Sequence, residues 1–131
     1  MASRAGKRER VFKTAWFARA ARKARIADAE LCSAIRQVML GQADDLGGGV
    51  FKKRLGKNLY RSILVARGGR YWVYAYLFAK KDRANIEDDE LVGFRALAAQ
   101  YARKTEADVE KELEFAKLVE ICHGNETQIQ E

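Results

Sequence analysis

The run Tyr71–Ala79, YWVYAYLFA, constrains the fold more than any other stretch of the chain. Its nine residues carry no charge, and bulky apolar groups stand at both odd and even positions. A strand with one wet face alternates polar with apolar; a run that is apolar on both faces predicts a central strand covered on each side. A central strand needs neighbours, and two lie just upstream. Val50–Leu55 and Leu59–Arg67 read as strands, and Gly68–Gly69 supplies a hairpin turn into a third strand over Arg70–Ala79. Trp72, Tyr74, Tyr76 and Phe78 share one parity, which predicts a packed aromatic stripe. Tyr74 or Tyr76, near the strand end, is a lesser candidate to stack on a nucleobase.

Helices flank this sheet. A short strand at Arg10–Lys13 leads to Thr14, which can cap a helix beginning at Ala15. In AWFARAARKARI, Trp16, Phe17, Ala20, Ala21 and Ala24 gather near one face, and Arg19, Arg22, Lys23 and Arg25 project elsewhere. A second helix starts at Asp28, with Leu31, Ala34, Ile35, Val38 and Met39 at helical spacing and Gly41 as its stop. The two helices predict an αα-hairpin. GQADDLGGG then reads as a loop, and no GxxxxGK[ST] pattern runs through Gly47–Lys57, which argues against a nucleotide-binding loop. Beyond the strands, Glu87, Asp88, Asp89 and Glu90 suit the first turn of a helix whose buried face is Leu91, Phe94, Leu97, Ala98 and Tyr101. Thr105 and Asp108 form a capping box for a further helix, and LVEIC suits a short last strand. The order β-α-α-β-β-β-α-α-β predicts an α+β fold: a small antiparallel sheet with an N-terminal helical hairpin and C-terminal helices, the helices largely on one face. One domain is expected over residues 10–122, between a flexible basic N-terminus at 1–9 and a flexible tail at 123–131.

Charge is segregated along the chain. Residues 1–83 hold 20 basic and 6 acidic residues, a net +14, whereas residues 84–131 hold 5 and 12, a net −7. A basic front of this size suits a polyanionic partner. Cys32 and Cys122 lie far apart with no CxxC pair, a spacing that predicts neither a disulfide framework nor a zinc site and fits a reducing cytoplasm. No apolar run is long enough for a membrane span, and MASRAGKRER lacks the apolar core of a signal peptide, so a soluble cytoplasmic protein with no membrane partner is expected.

Three words then stand in order on three elements: GGGVFKKRL at Gly47–Leu55, LYRSILV at Leu59–Val65, and FAKKDRANI at Phe78–Ile86. In these words the chain resembles the RelE/HigB superfamily of toxins from type II toxin-antitoxin modules (the RelE/ParE superfamily), and its HigB-like branch in particular. The resemblance implies a RelE-like fold and a ribosome-dependent mRNA endonuclease, an mRNA interferase that uses no cofactor or metal and inhibits translation by cutting message. In such chemistry the ribose 2′-hydroxyl attacks the adjacent phosphate, which calls for a base, an acid and cations around the phosphorane. Carried onto this sequence, the resemblance implies catalytic roles for Lys52, Arg54, Arg61 and Lys81, and RNA-binding roles for Lys53, Lys57, Lys80 and Arg83. Period two places Lys52 and Arg54 on one sheet face and Lys53 on the other. Glu87 stands where many relatives carry a tyrosine, and the sole histidine, His123, lies in the tail. The implied partners are the ribosome, mRNA and a cognate antitoxin, for which a helix-turn-helix protein is one candidate. Two other readings are a gyrase inhibitor like the ParE branch, and a basic RNA-binding module without chemistry.

Overall fold

In the computed structural model, which describes residues 9–67 and 70–123, the uncharged run becomes strand β5 (Tyr71–Ala79) of a six-stranded sheet. The other strands are β1 (Arg10–Thr14), β2 (Asp44–Gly47), β3 (Val50–Leu55), β4 (Tyr60–Arg67) and β6 (Leu118–Ile121), in the spatial order β2-β3-β4-β5-β1-β6. β5 lies between β4 and β1, as a strand apolar on both faces requires. The expected N-terminal arm up to residue 8, the Gly68–Gly69 turn and the tail from residue 124 lie outside the described residues.

Local chemistry sets the helices. Helix α1 (Ala15–Ala24) starts where the Thr14 hydroxyl accepts the Phe17 N–H at 3.0 Å, and it ends at Arg25, whose left-handed backbone turns the next N–H, that of Ile26, back onto the Ala21 carbonyl at 2.9 Å. Helix α2 (Asp28–Met39) buries Leu31, Cys32, Ala34, Ile35 and Val38. Helix α3 (Asp88–Arg103) opens on a capping box between Glu87 and Glu90, and helix α4 (Glu106–Glu114) on one between Thr105 and Asp108. Among the described residues no helix is long and apolar enough to cross a membrane.

Four expectations are corrected. The sheet is mixed: β1 runs parallel to β5, with Arg10 beside Tyr71 and Lys13 beside Tyr74, while the other pairings are antiparallel. The helices cover both faces. Phe17, Ala21, Leu31 and Ile35 of α1 and α2 pack on Leu64, Trp72 and Tyr74, whereas Ala98, Tyr101 and Val109 of α3 and α4 pack on Val50, Ile63, Val65 and Val73. The stretch expected to be a loop contains β2, which pairs antiparallel with β3 before Gly47, Gly48 and Gly49 turn the chain in left-handed conformations. Finally, Cys32 and Cys122 form a disulfide with Cα atoms 5.4 Å apart. Their 90-residue separation along the chain concealed that the end of β6 returns to the core that α2 covers.

The aromatic stripe is also divided. The β4–β5 register shifts between Ile63, opposite Tyr76, and Leu64, opposite Tyr74, leaving Ala75 as the extra residue of a bulge. Trp72 and Tyr74 therefore face α1 and α2, and Tyr76 and Phe78 face the side of α3. Within the first group the Tyr74 hydroxyl donates to the Leu31 carbonyl at 2.7 Å, and burial pushes the phenol well above its usual range.

Candidate nucleic-acid interface

The face of β3, β4 and β5 beneath α3 is apolar at Val50, Ile63, Val65 and Val73, then turns cationic toward the end of β3. Lys52 lies opposite Ile63, Arg54 opposite Arg61, and Arg61 opposite Phe78, so alternation brings these three cations to the α3 side. The Lys52 ammonium is partly buried, donates to Asn85 Oδ1 at 3.3 Å and lies 3.8 Å from an Asp44 carboxylate oxygen. Arg61 Nη1 donates to the carbonyls of Asn58 and Tyr60, each at 3.1 Å, which fixes its guanidinium at the turn between β3 and β4. Neither Arg54 nor Arg61 pairs with a carboxylate among the described residues. Like charges directly opposite on neighbouring strands repel, and an anion seated between them removes that repulsion.

Arg83 joins the cluster from the segment between β5 and α3. It forks onto the Glu90 carboxylate at 2.6 and 3.1 Å, donates to the Tyr76 hydroxyl at 3.3 Å and the Asn85 carbonyl at 3.0 Å, and lies 5.6 Å from the Phe78 ring centroid. The Glu90 fork and the Tyr76 hydroxyl hold the guanidinium above its ordinary value, and Arg83 with the Glu87 N–H holds the Glu90 carboxyl below its own. The carboxylate that pairs with Arg83 is thus Glu90, in the first turn of α3, and not the adjacent Asp82. Glu87, where a tyrosine was expected from the resemblance, is the N-cap of α3.

The remaining cations separate. Lys53 points to the opposite face and donates to the Gln42 carbonyl at 3.0 Å; burial, and then the charge of Arg54, lowers it from the ordinary lysine value. Lys57 is exposed in the turn after β3 in a left-handed conformation, and Lys80 is exposed after β5. Lys81 is exposed and lines a cavity of about 590 Å³ beside the far end of β5, which it shares with Arg83. Lys52, Arg54, Arg61 and Arg83 thus gather on one side, Lys81 stands at the flank, and Lys53 stands apart. Sequence reasoning missed Asn85 and Glu90, which orient Lys52 and Arg83 and belong to no periodic pattern. It also placed Trp16 with the buried face of its helix, although Trp16 is 44% exposed and stacks on Tyr76 with ring centroids 5.1 Å apart.

A small basic α+β protein with a cationic sheet face is the class that this fold and cluster define. The sequence model of the RelE family, described as the RelE toxin of the RelE / RelB toxin-antitoxin system, matches residues 9–121. The chain belongs to that family. No curated protein and no solved structure matches it.

Proposed function

We propose that this chain is an mRNA endonuclease that cuts message on the ribosome, in the HigB-like branch of its family, and that a cognate antitoxin neutralises it. The observation that carries this reading is the opposed pair Arg54 and Arg61, with Lys52 and Arg83 beside it. In the proposed reaction the 2′-oxygen bonds to phosphorus, the P–O5′ bond breaks, and a 2′,3′-cyclic phosphate and a free 5′-hydroxyl result. The neutral amine form of Lys52 accepts the 2′-proton, Arg54 and Arg61 stabilise charge on the non-bridging oxygens, and the ammonium of Lys81 gives a proton to the 5′-oxygen. The guanidinium groups of Arg54, Arg61 and Arg83 are cations, which attract phosphate and repel a divalent metal, and charge stabilisation falls to them. Arg83, held by Glu90 and Tyr76, binds backbone at the edge of the site, and Lys57 and Lys80 extend the basic surface. A ribosomal substrate places this action in the cytoplasm, and an antitoxin with an acidic segment complements the cationic face.

The test is cleavage of mRNA on programmed ribosomes. Arg61→Ala is expected to reduce cutting by at least about 100-fold, the scale lost with one transition-state donor, while its circular dichroism stays that of the parent. Undiminished cutting by that variant would remove the site assignment. A wild-type protein that binds ribosomes without cutting, or that blocks gyrase supercoiling instead, would remove the nuclease reading.

A further inference from the structure

The cavity beside the far end of β5 has an origin in the topology. β1 pairs with β5 only from Tyr71 to Tyr74, because the chain leaves β1 at Thr14 and enters α1 at once. Beyond Tyr74 the β1-facing edge of β5 has no partner strand among the described residues. Trp16, in the first turn of α1, covers part of this gap by stacking on Tyr76. Trp16, Arg19, Ala20 and Lys23 follow the i, i+3, i+4, i+7 stripe of a helix, and all four line the cavity. Tyr60 and Lys81 line it as well, and Asp82 is the one carboxylate on its wall.

An indole left 44% exposed above a cavity rimmed by Arg19, Lys23, Lys81 and Arg83 is unusual for a packing residue. Every base has a face that stacks on an aromatic ring, and every nucleotide brings a phosphate for such cations. The cavity also adjoins the cationic cluster, since Tyr60 precedes Arg61 and Phe78, another lining residue, is paired with Arg61. We infer that this cavity is a nucleotide subsite, in which an unpaired RNA base stacks against Trp16 while its flanking phosphates meet Arg19 and Lys23. The inference rests on the reading of the neighbouring cluster as an RNA site. It adds a position one or more nucleotides from the scissile bond, supplied by α1 and not by the strands. Charge complementarity favours RNA over a peptide strand added to the open β5 edge, because that edge is ringed by cations and an unpaired base uses both the ring and the charges.

The probe is a short single-stranded oligoribonucleotide, 2′-O-methylated so that it cannot be cut. Its binding is expected to quench tryptophan emission, and the quench is expected to vanish in Trp16→Phe, because the other tryptophan, Trp72, is buried. Trp16→Ala is expected to weaken binding about tenfold, the scale of one lost stack, and Trp16→Phe by much less. The doubly reversed variant Arg19→Glu, Lys23→Glu is expected to weaken binding and flatten its salt dependence with the indole intact. Unchanged affinity in Trp16→Ala and in the charge-reversed variant overturns the subsite. If those variants keep RNA affinity but lose binding to an acidic peptide, the cavity belongs to a protein partner and the inference also fails. The parent reading is judged apart, by ribosomal cleavage in Arg61→Ala, so each can fail alone.

Discussion

Single side chains in this protein are placed by charged partners on other elements, and their protonation follows. Arg83 is held by Glu90, and Arg10 reaches Glu106, Glu110 and Glu120 at 3.0, 3.3 and 2.7 Å. The Glu106 carboxyl accepts the Tyr71 hydroxyl at 2.6 Å; that bond, then the charges of Arg10 and Arg70, hold it below the ordinary value of 4.5 against a burial effect that pushes it up. Glu90 is lowered in the same direction by Arg83 and the Glu87 N–H. A carboxyl whose folded value is depressed stabilises the fold fully above its unfolded value, near 4.5, and loses that contribution as pH falls through the folded value. Thermal midpoints should therefore be flat from pH 7 to 5 and fall on further acidification. Glu90→Gln removes one such group, so its fall between pH 5 and 3 should be shallower than that of the parent. An equally steep fall would show that Glu90 does not carry a depressed value. The charged partners are mostly on the surface, so added salt should shrink the difference between the two proteins.

At the scale of elements, those with local causes were readable from the sequence and those set by distant pairing were not. Thr14 and Thr105 announce their helices because a cap acts within four residues, and both accept the expected N–H. Lys52 and Arg54 were legible as one face because β3 is regular and period two holds along it, whereas Arg61, on β4, joins them only through the β3–β4 register. The parity of Trp72, Tyr74, Tyr76 and Phe78 failed because the bulge at Ala75 follows from pairing with β4, which no residue in YWVYAYLFA encodes. Strand β2 escaped notice for a related reason: Asp44 and Asp45 are exposed on a sheet edge, so its sequence shows no apolar alternation. The turn between β2 and β3 gives this difference a consequence. Gly49 has φ of +82°, and a Cβ there would lie 3.1 Å from the Ala66 carbonyl oxygen and 3.2 Å from Ala98 Cβ. Gly49→Ala should cost about 1–3 kcal/mol from the left-handed backbone and the crowding. Denaturant titration should show that loss, whereas Gly41→Ala, with φ of +87° but open space around it, should lose less. Equal losses at the two positions would mean that the contact with β4 and α3 contributes nothing.

Across the whole molecule, the sheet is a partition with a helical layer on each side, and one covalent link ties the chain's late part to its early part. β6 is an edge strand that pairs only with β1, through four residue pairs from Val11–Ile121 to Thr14–Leu118. Directly after it, Cys122 joins Cys32 on the inner face of α2 and closes a loop of about 90 residues. Cross-linking so long a loop restricts the unfolded chain strongly, and losing such a bond typically costs about 2–5 kcal/mol. For a domain of this size the loss should lower the thermal midpoint by on the order of 10 °C. The parent in dithiothreitol and the variant Cys32→Ser, Cys122→Ser should show the same lowering, and reductant should leave the variant unchanged. Because β1, β5 and β4 separate β6 from β3 in the sheet, the loosening should appear first as faster amide exchange in Leu118–Ile121, with exchange in Val50–Leu55 little altered. Under the proposed function, cleavage by the double variant at 25 °C should remain near that of the parent, since Lys52, Arg54 and Arg61 stand on strands the bond does not touch. A midpoint indifferent to reductant would show that the two thiols do not hold the edge strand, and β6 would then depend on β1 and the apolar side chains of Leu118 and Ile121 alone.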